Sequence, residues 1–242
     1  MNSKLAIQLA GQIRDWDIAF PHWEAVKKRF NETGIEVDFF ISTWSRSGEK
    51  NYYKKSTGHL VELDSLFFTR SRLDDQDQLG EEYTMSSSRH ICHHWGKSSL
   101  IRMNYELESN IKYDAVLISR PDLLFRDADI DTFTSIINEK GPSTTLDPRG
   151  VYTRQGTYAK HIPDRANRGH LYSDDMWAFG HRVSMNSFVL VDGLYDELLI
   201  ENSNHVFILD FLHKMNLYNW QIQNVRYSKN SLARDHREQG QH

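Results

Sequence analysis

Arg120 and Asp122 follow directly on an apolar run, Ala115-Val116-Leu117-Ile118, inside the segment YDAVLISRPDLLFRDAD (113–129). A guanidinium and a carboxylate at the end of a core strand belong at the rim of a site, because neither is stable unpaired in a core. Three further stretches place unusual residues beside apolar runs. Gly11, Gln12 and Arg14 follow the first run, Thr43 and Trp44 follow the second, and Asp174 and Asp175 precede MWAFG (176–180). Glycine lets a ligand approach the backbone, arginine matches phosphate oxygens with two N–H groups, and tryptophan offers a face to a base. Each residue also has an ordinary use. Gly11 can end a strand, Arg14 and Asp17 can form a surface ion pair, Trp44 can fill the core, and Asp174-Asp175 can cap a helix. The functional case therefore rests on the convergence of these stretches. Cys92, His93 and His94 look like metal ligands, but successive residues on a helix point apart. Neither CxxC nor HExxH spacing is present, so no zinc site is expected.

The elements that must position these residues alternate between strand and helix. Leu5 to Leu9 reads as a strand, and AFPHWEAVKKRFNE (19–32) as a helix with Trp23, Val26 and Phe30 on one side and Gly34 as its stop. Ile35 to Ile41 is a second buried strand, which completes a parallel, right-handed βαβ unit. Residues 45–88 are polar and irregular apart from Leu66 to Phe68, and are expected to form a loop or lid. His90 to Asn110 reads as a helix with Trp95, Leu100, Met103 and Leu107 on one side, followed by the third strand. A short helix from Asp131 to Glu139 is broken at Gly141-Pro142. A second irregular segment leads to a strand at 176–180, helices near 184–198 and 201–215, and a last strand from Trp220 to Tyr227. The expected fold is α/β: a mostly parallel, Rossmann-like sheet flanked by helices, in one domain over residues 1–230 with two long inserted loops. Residues 231–242 form a polar tail. In such sheets ligands bind beyond the carboxyl ends of the strands, where the stretches above lie.

Composition excludes several classes. With 242 residues, 39% hydrophobic and 26% charged, the chain can bury a core of ordinary size. A net charge of -4 gives no whole-protein argument for a polyanionic partner. The single cysteine, Cys92, precludes an internal disulfide and fits a reducing compartment. The first apolar run is too short for a signal peptide and no run reaches membrane-spanning length, so a cytoplasmic location is expected, in the host if the chain is viral. Neither GxxxxGK nor GxGxxG is present, which disfavours a P-loop or dinucleotide enzyme.

The stretches GQIR, DFFISTW, YDAVLISRPDLLF and DDMWAFG resemble GT-A-type glycosyltransferases, specifically small ones of viruses and bacterial surface-polysaccharide clusters, in a similarity that covers residues 4–228. That resemblance implies hexosyl or pentosyl transfer from a nucleoside-diphosphate sugar, most commonly UDP-linked, to an acceptor hydroxyl. The family carries an Asp-x-Asp motif that holds a divalent cation and the diphosphate. Here Asp-x-Asp occurs at Asp15/Asp17, Asp75/Asp77, Asp127/Asp129 and Asp129/Asp131, whereas the long buried strand ends in Arg120-Pro121-Asp122. Two readings stay open. Asp122 ligates Mn²⁺ or Mg²⁺, with Asp127 and Asp129 as further ligands, or Arg120 itself neutralises the diphosphate. Gly11, Gln12, Arg14, Thr43, Trp44, Lys97 and Arg120 would bind the donor. Asp175 or Asp174 would take the acceptor's proton. The segment RGVYTRQGTYAKHIPDRANRGH (149–170) is basic and aromatic, which points to acceptor binding through Arg154, Tyr158 and Lys160. The acceptor is then a glycan, or DNA carrying a hydroxymethylated base. A metal-dependent nuclease and a non-catalytic nucleotide-sugar or glycan-binding module are the alternatives. The nuclease lacks a well-placed (Asp/Glu)-x-Lys, and the binding module has no need of Asp174 and Asp175.

Overall fold

A computed structural model describes residues 2–13, 16–46, 61–75, 78–79, 87–138, 146–155, 173–198, 207–222 and 228–229. The centre of the sheet is built from apolar runs. Strand β1 (Ser3–Ala10) is buried continuously from Leu5 to Ala10, as expected of a strand covered on both faces. Helix α1 (Trp16–Glu32) buries Ala19, Trp23, Val26 and Phe30, one stripe at helical spacing, and exposes Lys28. Gly34, at φ 81°, ends it in the left-handed conformation that glycine adopts without strain. Strand β2 (Ile35–Trp44) then pairs in parallel with β1, so the expected βαβ unit is present.

The seven-stranded sheet also contains β3 (Arg70–Asp74), β4 (Ala115–Ser119), β6 (Gly150–Gln155), β7 (Ser173–His181) and β8 (Tyr218–Ile222), in the order β3-β2-β1-β4-β7-β6-β8. All neighbours run parallel except around β7, which is antiparallel to both β4 and β6. A small pair, β5 (Leu123–Leu124) with β9 (Ser228–Lys229), ties the chain's last described residues to the end of β4. Helices α1 and α3 (Asp127–Asn138) cover one face of the sheet. The other face is covered by α2 (Ser87–Ser109), α4 (Arg182–Asn186) and α5 (Phe207–Lys214). This is the mostly parallel, helix-flanked α/β domain expected.

Two strands lie where irregular segments are expected. β3, RSRLD, falls inside 45–88; it is an edge strand, paired on one side only, so it needs no apolar run. β6, GVYTRQ, falls inside the second irregular segment and takes in the start of the basic stretch. Gly150 and Gly180 allow its close packing: a Cβ on Gly150 would lie 2.7 Å from Trp220 Nε1, and one on Gly180 2.8 Å from the Gly150 carbonyl. The long helix expected near 184–198 is instead α4 followed by 3₁₀ turns at Ser187–Leu190 and Tyr195–Glu197.

Helix α2 departs furthest from its apolar reading. Trp95 is buried as expected, but Leu107 is 81% exposed. The buried face is largely polar, carrying His93, His94, Ser98, Ser99 and Arg102. It meets Gln8 of β1, whose Nε2 donates to Ser98 Oγ (3.0 Å) and Ser99 Oγ (3.1 Å) and whose Oε1 accepts from Arg102 Nε (2.8 Å). Arg102 Nη2 also donates to Asn186 Oδ1 at 2.7 Å, which fixes α4 to α2. No helix among the described residues is long and apolar enough to cross a membrane.

Candidate functional site

The carboxyl ends of β1, β2 and β4 form one edge. Beyond Ala10 the chain turns at Gly11, whose φ of 118° belongs to glycine, and its N–H donates to the Ser42 carbonyl at 3.0 Å. A side chain on Gly11 would meet nothing, so backbone conformation alone calls for glycine here. Gln12 is half-buried beside it, and Arg14 lies outside the described residues. At the end of β2, Ser42, Thr43 and Trp44 are all buried. Trp44 is 3% exposed and its ring stacks at 3° on His93, with His94 edge-on at 4.2 Å. It therefore presents no open face to a base. Lys97 sits on α2, and its charge is felt by Asp192.

At the end of β4, Arg120 and Asp122 hold each other. Arg120 Nε donates to Asp122 Oδ1 at 2.8 Å and Nη2 donates to Oδ2. The turn between them is anchored from α1, because the indole of Trp23 donates to the Pro121 carbonyl at 2.8 Å. Asp129 is engaged in the same manner: its oxygens accept from the Arg126 guanidinium and from the Arg126 N–H at the start of α3. Asp127 is exposed in the first turn of that helix, where a carboxylate favours the helix dipole. Mn²⁺ and Mg²⁺ require carboxylate oxygens to give up their partners. Asp122 and Asp129 are each held by an arginine, so a divalent cation at this strand end would have to take its oxygens from those ion pairs.

The antiparallel course of β7 has a direct consequence for the acidic pair. Ser119 pairs with Trp177, so the backbone of Asp174 and Asp175, just before Trp177, runs out at the edge where Arg120 and Asp122 lie. The two aspartates are strand residues, not a turn before the strand; their side chains lie outside the described residues. Gln155 pairs with Ser173, so residues 156–172 leave from and return to this edge. Arg154 is placed by its backbone in β6, opposite Ile222. Tyr158 and Lys160 lie outside the described residues.

A further polar cluster, unforeseen as a unit, lies where β3 ends against α2. His93 Nε2 is 3.1 Å from Asp74 Oδ2 and its Nδ1 is 3.3 Å from Asp192 Oδ2. Arg72 Nε donates to both Asp74 oxygens, at 2.8 and 3.0 Å. Burial alone would lower the His93 pKa, but the two carboxylates raise it. Burial opposes ionisation of Asp74, yet the His93 and Arg72 hydrogen bonds hold its pKa at about 2. His94 is wholly buried, and burial keeps its pKa well below the usual histidine value. The rings of His90, His93 and His94 all reach Trp44, so the adjacent His93 and His94 meet on one side of α2 against the expectation that successive helix residues point apart. The three histidines are visible in the sequence, but their meeting at Trp44 is not. Nor is the place of Asp74 beside them, because β3 is not.

No family model and no curated protein matches the chain. Solved structures do. A glycosyltransferase involved in glycosylation of the major capsid of PBCV-1 aligns with a TM-score of 0.50 at 9% identity, over 91% of this chain and 81% of that one. A mutant of Drosophila β-1,4-galactosyltransferase 7, in complex with manganese, UDP-Gal and xylobiose, aligns at 0.40 with 12% identity, over 94% and 70%. The catalytic domain of the same Drosophila enzyme with xylobiose gives 0.38, also at 12% identity. Strand order, the reversed β7 and the capsid enzyme's likeness over nearly the whole chain lead to one conclusion: this chain has the GT-A-like fold of glycosyltransferases.

Proposed function

We propose that the protein transfers a sugar from a nucleoside-diphosphate sugar, with UDP as the leaving group, to an acceptor hydroxyl. The observation that carries this reading is the meeting, at one sheet edge, of the Arg120–Asp122 strand end with the backbone of Asp174 and Asp175. Glycosyl transfer needs a cation at the departing diphosphate and a base at the incoming hydroxyl. Arg120, oriented by Asp122, supplies the first. Asp175, with Asp174 beside it, supplies the second by accepting the hydroxyl proton as the oxygen attacks the anomeric carbon. Gly11 and Gln12 lie along the donor's path, where a turn without a side chain lets a phosphate come close to the backbone. Because a permanent guanidinium occupies the strand end, donor binding does not depend on added Mn²⁺ or Mg²⁺. The basic, aromatic residues of 156–172, Tyr158 and Lys160 among them, receive the acceptor, whose class is a glycan or a hydroxymethylated DNA.

The test is a thermal-shift screen of nucleoside diphosphates and their sugars, with Mn²⁺ or with a chelator, followed by transfer assays on oligosaccharide and DNA acceptors. A UDP-sugar that raises the melting temperature equally in both conditions supports the reading. Asp175→Asn is expected to abolish transfer while leaving donor affinity within about twofold, since a base acts only in the transition state. Full transfer by that variant removes Asp175 from its role. No stabilisation by any nucleotide sugar removes the reading as a whole.

A further inference from the structure

We propose that Asp74, His93 and His94 bind a zinc ion at the junction of β3 and α2. One donor atom from each residue lies within 4.8 Å of the others. His94 supplies the independent sign of a missing ligand. Its Nδ1 is 2.9 Å from Ser42 Oγ, which leaves Nε2 buried with no partner although the residue is 0% exposed. A buried nitrogen of this kind is destabilising when nothing bonds to it, and an ion would remove that cost. When Nδ1–H donates to that hydroxyl, the lone pair lies on Nε2, where an ion can take it.

The surroundings supply what metal-bound imidazoles and carboxylates ordinarily have. His93 Nδ1 faces the Asp192 carboxylate at 3.3 Å, the arrangement that orients a metal-bound imidazole and strengthens it as a ligand. Arg72 grips Asp74 and fixes the direction of its carboxylate. Trp44 packs flat on His93 and edge-on to His94, so neither ring is free to swing away. Tetrahedral zinc with bonds of about 2.0–2.2 Å holds its donors about 3.3 Å apart. His93 Nε2 and Asp74 Oδ2 stand 3.1 Å apart, and small side-chain rotations bring in the third donor. Two imidazoles and one carboxylate suit zinc over the hard cations, which require oxygen donors throughout. Sequence spacing missed the site because Cys92, the residue next to the two histidines, is not a member, while Asp74 arrives from a different strand. This ion shares no residue with the cation that the family resemblance implies at the end of β4.

The test takes the full chain, strips it with a chelator and titrates it with zinc alone, by calorimetry and thermal denaturation. One equivalent is expected, with a higher melting temperature in its presence. Asp74→Asn and His94→Gln are expected to weaken binding at least tenfold. Ser42→Ala, which touches no ligand atom of the ion, is expected to weaken it about tenfold by removing the hydrogen bond that holds the His94 ring. His213→Gln, at an exposed position on α5, is expected to leave binding unchanged. Because replacing a buried ring can unfold the chain, cobalt loading of the unaltered protein gives a second readout. The intense visible absorption of a four-coordinate cobalt centre supports the site, and the weak spectrum of a six-coordinate ion overturns it. Absence of zinc uptake at micromolar free metal overturns it too, as does unaltered binding by both ligand variants.

Discussion

Arg120 and Asp122 place one fixed cation and one fixed anion at the end of β4, each oriented by the other. A carboxylate in the position of Arg120 would make this a ligand pair for a metal ion. The guanidinium makes it a donor pair for an anion, and its planar fork carries a directionality that a point charge lacks. In the proposed reaction an incoming diphosphate would compete with Asp122 for the same N–H groups, which would make Asp122 a positioning residue whose hold must be weaker than that of the phosphate. The two residues should separate kinetically. Arg120→Ala is expected to lower kcat by about 10²-fold, the scale of removing one preorganised transition-state donor. Arg120→Lys is expected to recover about a tenth of the lost rate, because charge returns without the fork. Asp122→Asn is expected to act more on KM than on kcat, since the guanidinium remains but is no longer aimed. Steady-state kinetics over donor concentration distinguishes these outcomes, and equal kcat for Arg120→Ala and the unaltered enzyme would exclude the arginine from charge stabilisation.

Helix α2 shows what apolar periodicity can mislead about. Leu100, Met103 and Leu107 suggest a buried stripe, but Leu107 points to water, and the face against the sheet is built from serines, histidines and Arg102. Gln8, in the middle of an apolar strand, helps to satisfy that face by bonding two hydroxyls and the guanidinium together. Gln8→Leu would fit the hydrophobic pattern of β1 but remove the Gln8 bonds to Ser98, Ser99 and Arg102, of which Ser98 keeps the Trp95 carbonyl and Arg102 keeps Glu106 and Asn186. It is expected to cost about 3 kcal/mol, whereas Leu107→Gln should stay within about 0.5 kcal/mol; urea denaturation of the two variants measures the contrast. The strands that carry the functional edge were legible for the opposite reason: β1, β2 and β4 are central, so their burial forces apolar runs. β3 was illegible as an edge strand, and β6 because glycine, tyrosine, threonine and arginine give it no apolar signature. Asp74 was lost with β3. Asp174 and Asp175 were legible as residues before the unmistakable apolar MWAFG, but they reach the ends of the parallel strands only through the reversal of β7, which the sequence does not show.

At the scale of the whole molecule, the functional edge is held to the remainder of the fold by α1, which spans one face of the sheet and reaches the turn after β4. Trp23 donates to the Pro121 carbonyl, and one residue earlier His22 Nε2 accepts from the Phe125 N–H at 3.0 Å. The second bond requires a neutral imidazole acceptor, and protonation converts that nitrogen to a donor facing another donor. Burial accordingly lowers the His22 pKa from 6.5 to about 4, with the nearby Asp127 charge opposing only in part. A histidine whose folded pKa is depressed stabilises the fold fully above its unfolded pKa and progressively less as pH falls, because the unfolded chain then binds the extra proton. The window runs from about pH 6.5 down to about pH 4. At pH 5 the loss attributable to His22 is at most about 2 kcal/mol, reduced by its partial exposure to solvent. His22→Gln keeps a carbonyl acceptor without a titrating group. Urea midpoints at pH 7 and pH 5 should therefore fall further for the unaltered protein than for His22→Gln. If the two lose stability in parallel, the Phe125 contact does not couple protonation to the packing of α1 against the end of β4.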